Sequence, residues 1–335
     1  MAYDILAEAT LADVLRNKAP DGSYMSAIDV LSEKIPLIEE GYWVQGNDDS
    51  SHEFMRTTSE PVGSVIALGQ GAGWEKSSEV PVKEQIMRLG SNLKLETKTL
   101  EKSPAPVRYR RDREKATVRG LTKTFAKVAF TKGGYGDMAA DPLQVNGLGA
   151  RYGKLAAKSV VSMGGSGSNL ASIWVLKWGP DGLFFIHPKT AEKTLVEKNM
   201  TVGGPQMIAD ASGNPLWYEI TNWEWQFGIG VGDSRNVKRL CNIAPSGNYS
   251  FFEDTDKALG EKKLIDLLES FPLGSNEGLV IYTGADMIAQ MKKRLNDKSN
   301  LYFTTESVWG RPMLNFYGVP IIRMDTLTAD ESTIS

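Results

Sequence analysis

Residues 111–148 read RDREKATVRGLTKTFAKVAFTKGGYGDMAADPLQVNGL, and the architecture is read outward from them. Val118, Leu121, Phe125 and Val128 follow one another at spacings of three, four and three. That places them on one narrow stripe of an α-helix, and the spacing predicts a helix over about 111–131. Arg111, Arg113, Lys115, Arg119, Lys123 and Lys127 decorate the remaining surface, and Gly133-Gly134 supplies a stop. A long helix with a single apolar stripe lies across a sheet or over a core.

Upstream, residues 61–103 predict a β-rich segment. Val65, Ile66 and Leu68 lead into Gly69, Gly71 and Gly73, and Asn92–Thr99 alternates with period two. The alternating face is mostly polar, so such a ribbon buries little core by itself and suits a projecting hairpin. Residues 1–60 predict an arm. Thr10 is placed to cap a short helix carrying Leu11, Val14 and Leu15. Ser26 and Asp29 form a capping-box pattern before Val30, Leu31 and Ile35, and Pro20 and Pro36 interrupt both. Helices this short need a surface to lie on.

Downstream, Trp174, Trp178, Trp217, Trp223 and Trp225 crowd among short apolar runs, Ile173–Leu176, Leu183–Ile186 and Phe227–Val231, that read as strands. Two amphipathic helices follow, Glu261–Phe271 and Ala285–Leu295, the second with Thr283 and Asp286 as a capping box. A last strand covers Val319–Met324.

Charge is distributed unevenly over the 335 residues. Residues 1–60 hold twelve acids, among them Glu39, Glu40, Asp48 and Asp49, against four bases, a net of −8; residues 61–160 carry a net of +9; the whole chain is −3. An acidic leading arm and a basic middle are suited either to each other or simply to solvent. Cys241 is the single cysteine, which rules out an intrachain disulfide and suits a reducing compartment. The opening MAYDILAEAT lacks the basic and apolar regions of a signal peptide, so synthesis and use in a cytoplasm are expected.

Catalytic patterns are missing. The two histidines, His52 and His187, stand apart, and there is no GxSxG elbow. One cysteine and two distant histidines do not make a zinc site. Gly164–Ser168 is glycine-rich but lacks the lysine of a phosphate loop, and a turn is the expected use. Arg108, Arg110, Arg111 and Arg113, with Tyr109 between them, form the strongest basic cluster. They fit a charged helix start, a patch for an acidic segment of a neighbour, or contact with nucleic acid. The tryptophans fit core anchoring more readily than sugar binding. No enzyme, cofactor or metal is expected. A carbohydrate-binding or hydrolytic protein built on the tryptophans, and a DNA-binding protein built on the 108–127 helix, stand as the competing readings.

Ordered matches decide among them. Tyr135–Leu148 with Arg151-Tyr152, then Gly164–Trp174, Lys177–Pro180, His187–Lys189, Trp223–Val231, Asp233–Arg235, Arg239–Ile243 and Phe316–Ile322 follow the order and spacing of a phage coat-protein family. The chain resembles the major capsid proteins of tailed double-stranded DNA bacteriophages, with a likeness to the coat proteins of epsilon15-like podoviruses. It departs at His187, where the family's pattern suggests an aromatic, and at Tyr282–Ala285, where an arginine would be expected.

The resemblance implies the tailed-phage and herpesvirus capsid fold, an α+β subunit. Its parts would be an N-terminal arm (1–60), an extended hairpin loop (61–103), a peripheral domain with the long spine helix (104–220), an axial domain (221–315), and a return strand with a C-terminal tail (316–335). It implies hexamers and pentamers of an icosahedral shell, no enzymatic activity, and localisation in the virion after synthesis in the bacterial host's cytoplasm. The implied partners are other copies, a portal, scaffolding protein, a decoration or staple protein, and packaged double-stranded DNA held without sequence specificity. Candidates for contacts between subunits are Arg108, Arg110, Arg111, Arg113, Trp74, Glu39, Glu40, Asp48 and Asp49.

Overall fold

The computed structural model describes residues 36–191, 196–199, 204–209, 213–251, 259–272, 278–295, 303–308 and 311–335. The two helices expected before residue 36 lie outside them. In chain order the strands are β1 (Trp43–Gln45), β2 (Ser51–Ser59), β3 (Ser78–Glu96), β4 (Val160–Ser162), β5 (Ala171–Lys177), β6 (Leu183–His187), β7 (Val196–Asn199), β8 (Gln206–Ala209), β9 (Pro215–Val231), β10 (Val237–Ile243), β11 (Leu279–Thr283), β12 (Phe303–Val308), β13 (Arg311–Phe316) and β14 (Val319–Arg323). The helices are α1 (Leu37–Glu40), α2 (Thr97–Glu101), α3 (Pro106–Phe130), α4 (Leu148–Arg151), α5 (Leu259–Glu269) and α6 (Ala285–Leu295). The chain divides into two compact units, one holding 88–126 and 192–226, the other 36–87, 127–191 and 227–335; β3, α3 and β9 contribute residues to both.

In the first unit, β7 and β8 pair antiparallel with the opening part of β9, Thr221–Glu224 and Pro215–Tyr218 respectively. Leu95, Leu100 and Tyr109 form a small core. Phe125, on the stripe read from the sequence, stacks on Trp225 at 4.6 Å between ring centroids. Trp223 and Trp225 are each only 2% exposed, so they serve the core and offer no sugar platform. Helix α3 begins five residues earlier than the apolar spacing suggests. Pro106 has the fixed φ that suits a first helical turn, where its missing N–H costs nothing. The alternation over 92–99 holds only to Glu96. Thr97–Thr99 turn into α2, with the Thr99 hydroxyl donating to the Glu96 carboxylate and the Thr97 hydroxyl to the Trp217 carbonyl at 3.1 Å.

The second unit is built on a mixed sheet in the order β12-β13-β14-β11-β5-β10-β4. Strand β5 lies between β10 and β11, antiparallel to both, and β11 pairs parallel with β14. Both faces of β5 and β10 are covered, which is why these segments read as unbroken apolar runs rather than alternating ones. Leu264 and Leu267 of α5 and Met287, Ile288 and Met291 of α6 join Ile173, Val175, Leu240 and Ile281 in the main core. Each side chain buried there contributes about 1.5–3 kcal/mol over exposure. Across the sheet, Phe130 at the end of α3 meets Trp174 and Tyr282. Thr283 does not cap α6: the helix starts at Ala285, and the Thr283 hydroxyl is buried in β11 without a partner. Gly164–Ser168 leads into β5, a strand rather than a helix, and Gly167 exchanges hydrogen bonds with Thr333, so it is a turn.

Candidate assembly site

The quoted run after α3 folds back on the helix end. Gly136 has φ +77°, and a Cβ there would stand 2.1 Å from the Val128 carbonyl oxygen; one at Gly147 would stand 2.3 Å from the same atom. Only glycine admits that approach. The Gln144 side chain accepts from Gly136 N (2.6 Å) and donates to the Gly134 carbonyl (3.2 Å), closing the loop. This presents Arg151, whose guanidinium meets the Glu84 carboxylate through Nη1–Oε1 (2.8 Å) and Nη2–Oε2 (2.6 Å) and also donates to the carbonyls of Asn146 and Ile229. Glu84 lies on β3, so the loop after the helix grips the base of a hairpin.

That hairpin is β2 paired antiparallel with the first half of β3, from Ser51↔Gln85 to Ser59↔Ser78, with a bulge after Thr57. Its first strand therefore starts at residue 51, inside the stretch read from sequence as arm. Arg56 holds it from the other side, donating to the carbonyls of Gly232 (2.8 Å) and Val231 (2.5 Å). Residues 60–76 form an exposed connection with no strand, although Val65, Ile66 and Leu68 favour one. Val65, Leu68 and Trp74 are fully exposed at 104%, 109% and 103%, and Val62 is 75% exposed.

Of the sequence candidates, Trp74 stands on this bare tip. Arg110 is held within its own unit by Glu114 (2.8 Å), Glu219 (2.6 Å) and the Thr221 hydroxyl (2.9 Å). Arg113 lies over the ring of buried Tyr109 at 5.1 Å. Arg108 and Arg111 are exposed on the first turns of α3. The arginines thus share a helix without converging on one point. Glu39 is exposed beside Glu40, whose carboxylate accepts from the Tyr282 hydroxyl at 2.7 Å, while Trp178 Nε1 donates to that hydroxyl at 3.1 Å. Burial raises the Glu40 pKa, with the hydrogen bond from Tyr282 opposing and the nearby Glu39 charge adding to it. Burial raises the Tyr282 pKa as well. Asp48 accepts from Asp49 N and Ser50 Oγ, bonds that hold its carboxyl below its usual value. Asp49 accepts from Thr190 N (2.9 Å) and Oγ1 (2.8 Å). His187 turns its Nδ1 to the carbonyls of Pro188 and Ala191, both at 3.0 Å, a local turn contact.

Sequence reading missed Glu84, Arg56 and a third anchor. Arg239 donates to Glu331 (3.0 Å), to Ser172 Oγ (3.1 Å) and to the Tyr152 carbonyl (3.0 Å), beneath the ring of Trp174. Each partner lies more than sixty residues away in sequence, so no local pattern marks it.

The major capsid protein GP7 family matches residues 19–335. No curated protein matches significantly. Among solved structures, that of bacteriophage Epsilon15 is 20% identical with a TM-score of 0.66, covering 100% of this chain and 99% of that one. The capsid of bacteriophage JBD30 is 10% identical with a TM-score of 0.53, covering 90% of this chain and 93% of that one. Long helix, hairpin and two units accordingly form the tailed-phage capsid fold, and the protein is structural rather than catalytic. The chain belongs to the major capsid protein GP7 family.

Proposed function

We propose that this subunit, a structural capsid protein that assembles with copies of itself into the virion shell, does so as hexamers and pentamers of an icosahedral particle around packaged double-stranded DNA. The observation that carries the reading is the hairpin: held at its base by Arg151 and Arg56, it ends in apolar side chains that stand exposed among the described residues. Apolar surface of that kind marks an interaction site, and a subunit that is one part of a closed shell has neighbours to cover it. In this reading the tip with Trp74 contacts the adjacent subunit, and Arg108 and Arg111 face protein, with Glu39, Asp48 and Asp49 among the acids of the leading arm available to oppose such cations. The same reading gives the region with α3 a peripheral role and the region around β11 and α6 an axial one, with synthesis in the host cytoplasm and encounters with portal, scaffolding and decoration proteins.

Expression of the full chain followed by electron microscopy tests the proposal. Closed shells or rings of five and six subunits are the expected outcome. A stable monomer under all assembly conditions would refute it.

A further inference from the structure

A cleft of about 910 Å³ lies beside β2 in the second unit, lined by every residue from Phe54 to Glu60 and, opposite, by Phe184 and Asp233–Arg235. Side chains alternate across a strand, so a run of consecutive residues means that the cleft follows the strand's edge as well as one face. Strand β2 ends its sheet, whose strands run in the order β1-β6-β9-β3-β2. The orientation of its outer groups follows from Pro81, which stands opposite Met55 and has no N–H. Met55 and Pro81 therefore form a non-hydrogen-bonded pair, and the N–H and C=O of Met55 point away from β3. Thr57, two residues on, points the same way. Glu53, with the same parity, confirms it: its N–H and C=O bond the Asn47 side chain at 2.9 and 2.8 Å. Beyond Glu53 no described strand continues the sheet.

The two arginines that line the cleft are both engaged, and the carboxylates of Glu60 and Asp181 stand on its lining as well. Arg56 is taken up by two carbonyls, and Arg235 pairs with Asp233 at 2.7 Å. What remains is an open strand edge next to Phe54 and Phe184, fitted to an uncharged extended segment. The chain contains such a segment. Residues 61–74, PVGSVIALGQGAGW, carry no charge; Val65-Ile66-Ala67-Leu68 favours a strand yet is in none, and Gly69 at φ +87° turns the chain just after it.

We propose that Ser64–Leu68 of one copy adds as a strand to the Met55–Thr57 edge of the next copy, within this cleft. The tip of one hairpin then meets the base of its neighbour's, a head-to-tail contact that propagates around a ring and closes when the rotation allows. This rests on the capsid reading above and names the contact by which neighbouring copies would join.

Disulfide trapping tests it. The native Cys241 is buried, which leaves introduced thiols to report. Met55→Cys or Thr57→Cys copies are co-assembled with copies carrying cysteine at one of positions 64–68, then oxidised. A covalent dimer can arise only between copies, because each carries one of the two new thiols. At least one pairing is expected to yield dimers in assembled shells, at the 4.4–6.8 Å Cα separation a disulfide needs. Shells that form without dimers in any pairing overturn the strand addition and leave the capsid reading standing. A native chain that never forms shells overturns both. Met55→Pro provides a second readout, since it removes an outward N–H and spares the β2–β3 ladder. The subunit should melt normally while shell yield falls roughly tenfold, the worth of about one hydrogen bond per contact; undiminished yield overturns the proposal.

Discussion

Arg151 and Glu84 face each other in a bidentate pair, side chains 17% and 8% exposed, joining the loop after the long helix to the base of the hairpin. Removing one member strands a buried charge. Arg151→Ala or Glu84→Ala should cost about 3–5 kcal/mol in denaturant unfolding of the subunit. Arg151→Lys should cost nearly as much, because an ammonium cannot reproduce two parallel hydrogen bonds and also reach Asn146 and Ile229. An unchanged midpoint in these variants would show that the hairpin is held by something else.

The tip of the hairpin should be dispensable for folding. Replacing residues 61–76 with a two-residue Asn-Gly turn should leave subunit stability within about 0.5 kcal/mol, because nothing there is buried. Assembly should fail. A longer deletion from Gly69 to Gly90 cannot make this point: it removes Glu84 and the buried Met87 and would unfold the subunit itself. Particle counts by microscopy, with melting curves of the unassembled variant, separate the two effects.

Arg108 and Arg111 lie exposed at the start of α3; Arg110 bonds Glu219, and Arg113 lies over the ring of Tyr109. Reversing the exposed pair to glutamate should change subunit stability by less than about 1 kcal/mol. If they face neighbouring protein, empty-shell assembly falls, and the defect deepens at low salt, where screening is weak. Normal shells with impaired packaging would place them against DNA instead. Normal shells that package normally would leave both as solvated surface.

Cys241 sits fully buried in β10, and burial pushes its thiol up to about 11 from 9.0. At a given pH that leaves about a hundredfold less thiolate than an open cysteine would have. Alkylation of the native protein should be correspondingly slow, with rapid labelling on denaturation, and non-reducing gels of particles should show monomer. A Cys241-linked dimer would contradict the buried setting.

Glu40 has a carboxyl whose pKa is raised in the folded chain, by burial first. The folded state therefore binds its proton more tightly than the unfolded state does. The resulting stabilisation is fully present below the ordinary value of 4.5 and is lost as pH rises through the folded value. Glu40→Gln keeps an acceptor for the Tyr282 hydroxyl and removes the titration. Its stability profile should be flatter than the native one across that acidic window; parallel profiles would show that Glu40 ionises freely.

The elements that carry their own periodicity were legible in sequence. The stripe Val118, Leu121, Phe125, Val128 marks α3, and the runs at 173–176, 183–186 and 227–231 all fall in strands. Ala285–Leu295 is a helix with the predicted bounds. Boundaries set by chemistry at a distance were not. Strand β2 shows no apolar alternation in SHEFMRTTS because only Ser51 on it is fully buried, and α2 replaces a predicted strand end where the Thr97 hydroxyl finds the distant Trp217 carbonyl. The glycines of the Tyr135–Leu148 run were visible as a motif, but their reason, the nearness of the Val128 carbonyl, exists only once the chain has turned back. The anchors Glu84–Arg151 and Arg56 were invisible for the same cause: an ion pair spanning 67 residues leaves no local trace.

The main core draws its members from Met163 through Ile321, with Ile173 and Val175 on β5 waiting for Ile281 and then Ile321 to arrive. Strands β4, β5 and β10 can pair once Ile243 is made, but the other edge of β5 waits for β11, and β11 in turn for β14. Contacts of such long sequence separation fold slowly and leave apolar strand edges open meanwhile. The hairpin between residues 51 and 96, by contrast, is local and can form early. A newly made subunit is therefore expected to have its sticky tip ready before its body. Premature joining in that interval would trap unfinished subunits in dead-end aggregates, and the more crowded the newly made subunits are, the more often that trap would close.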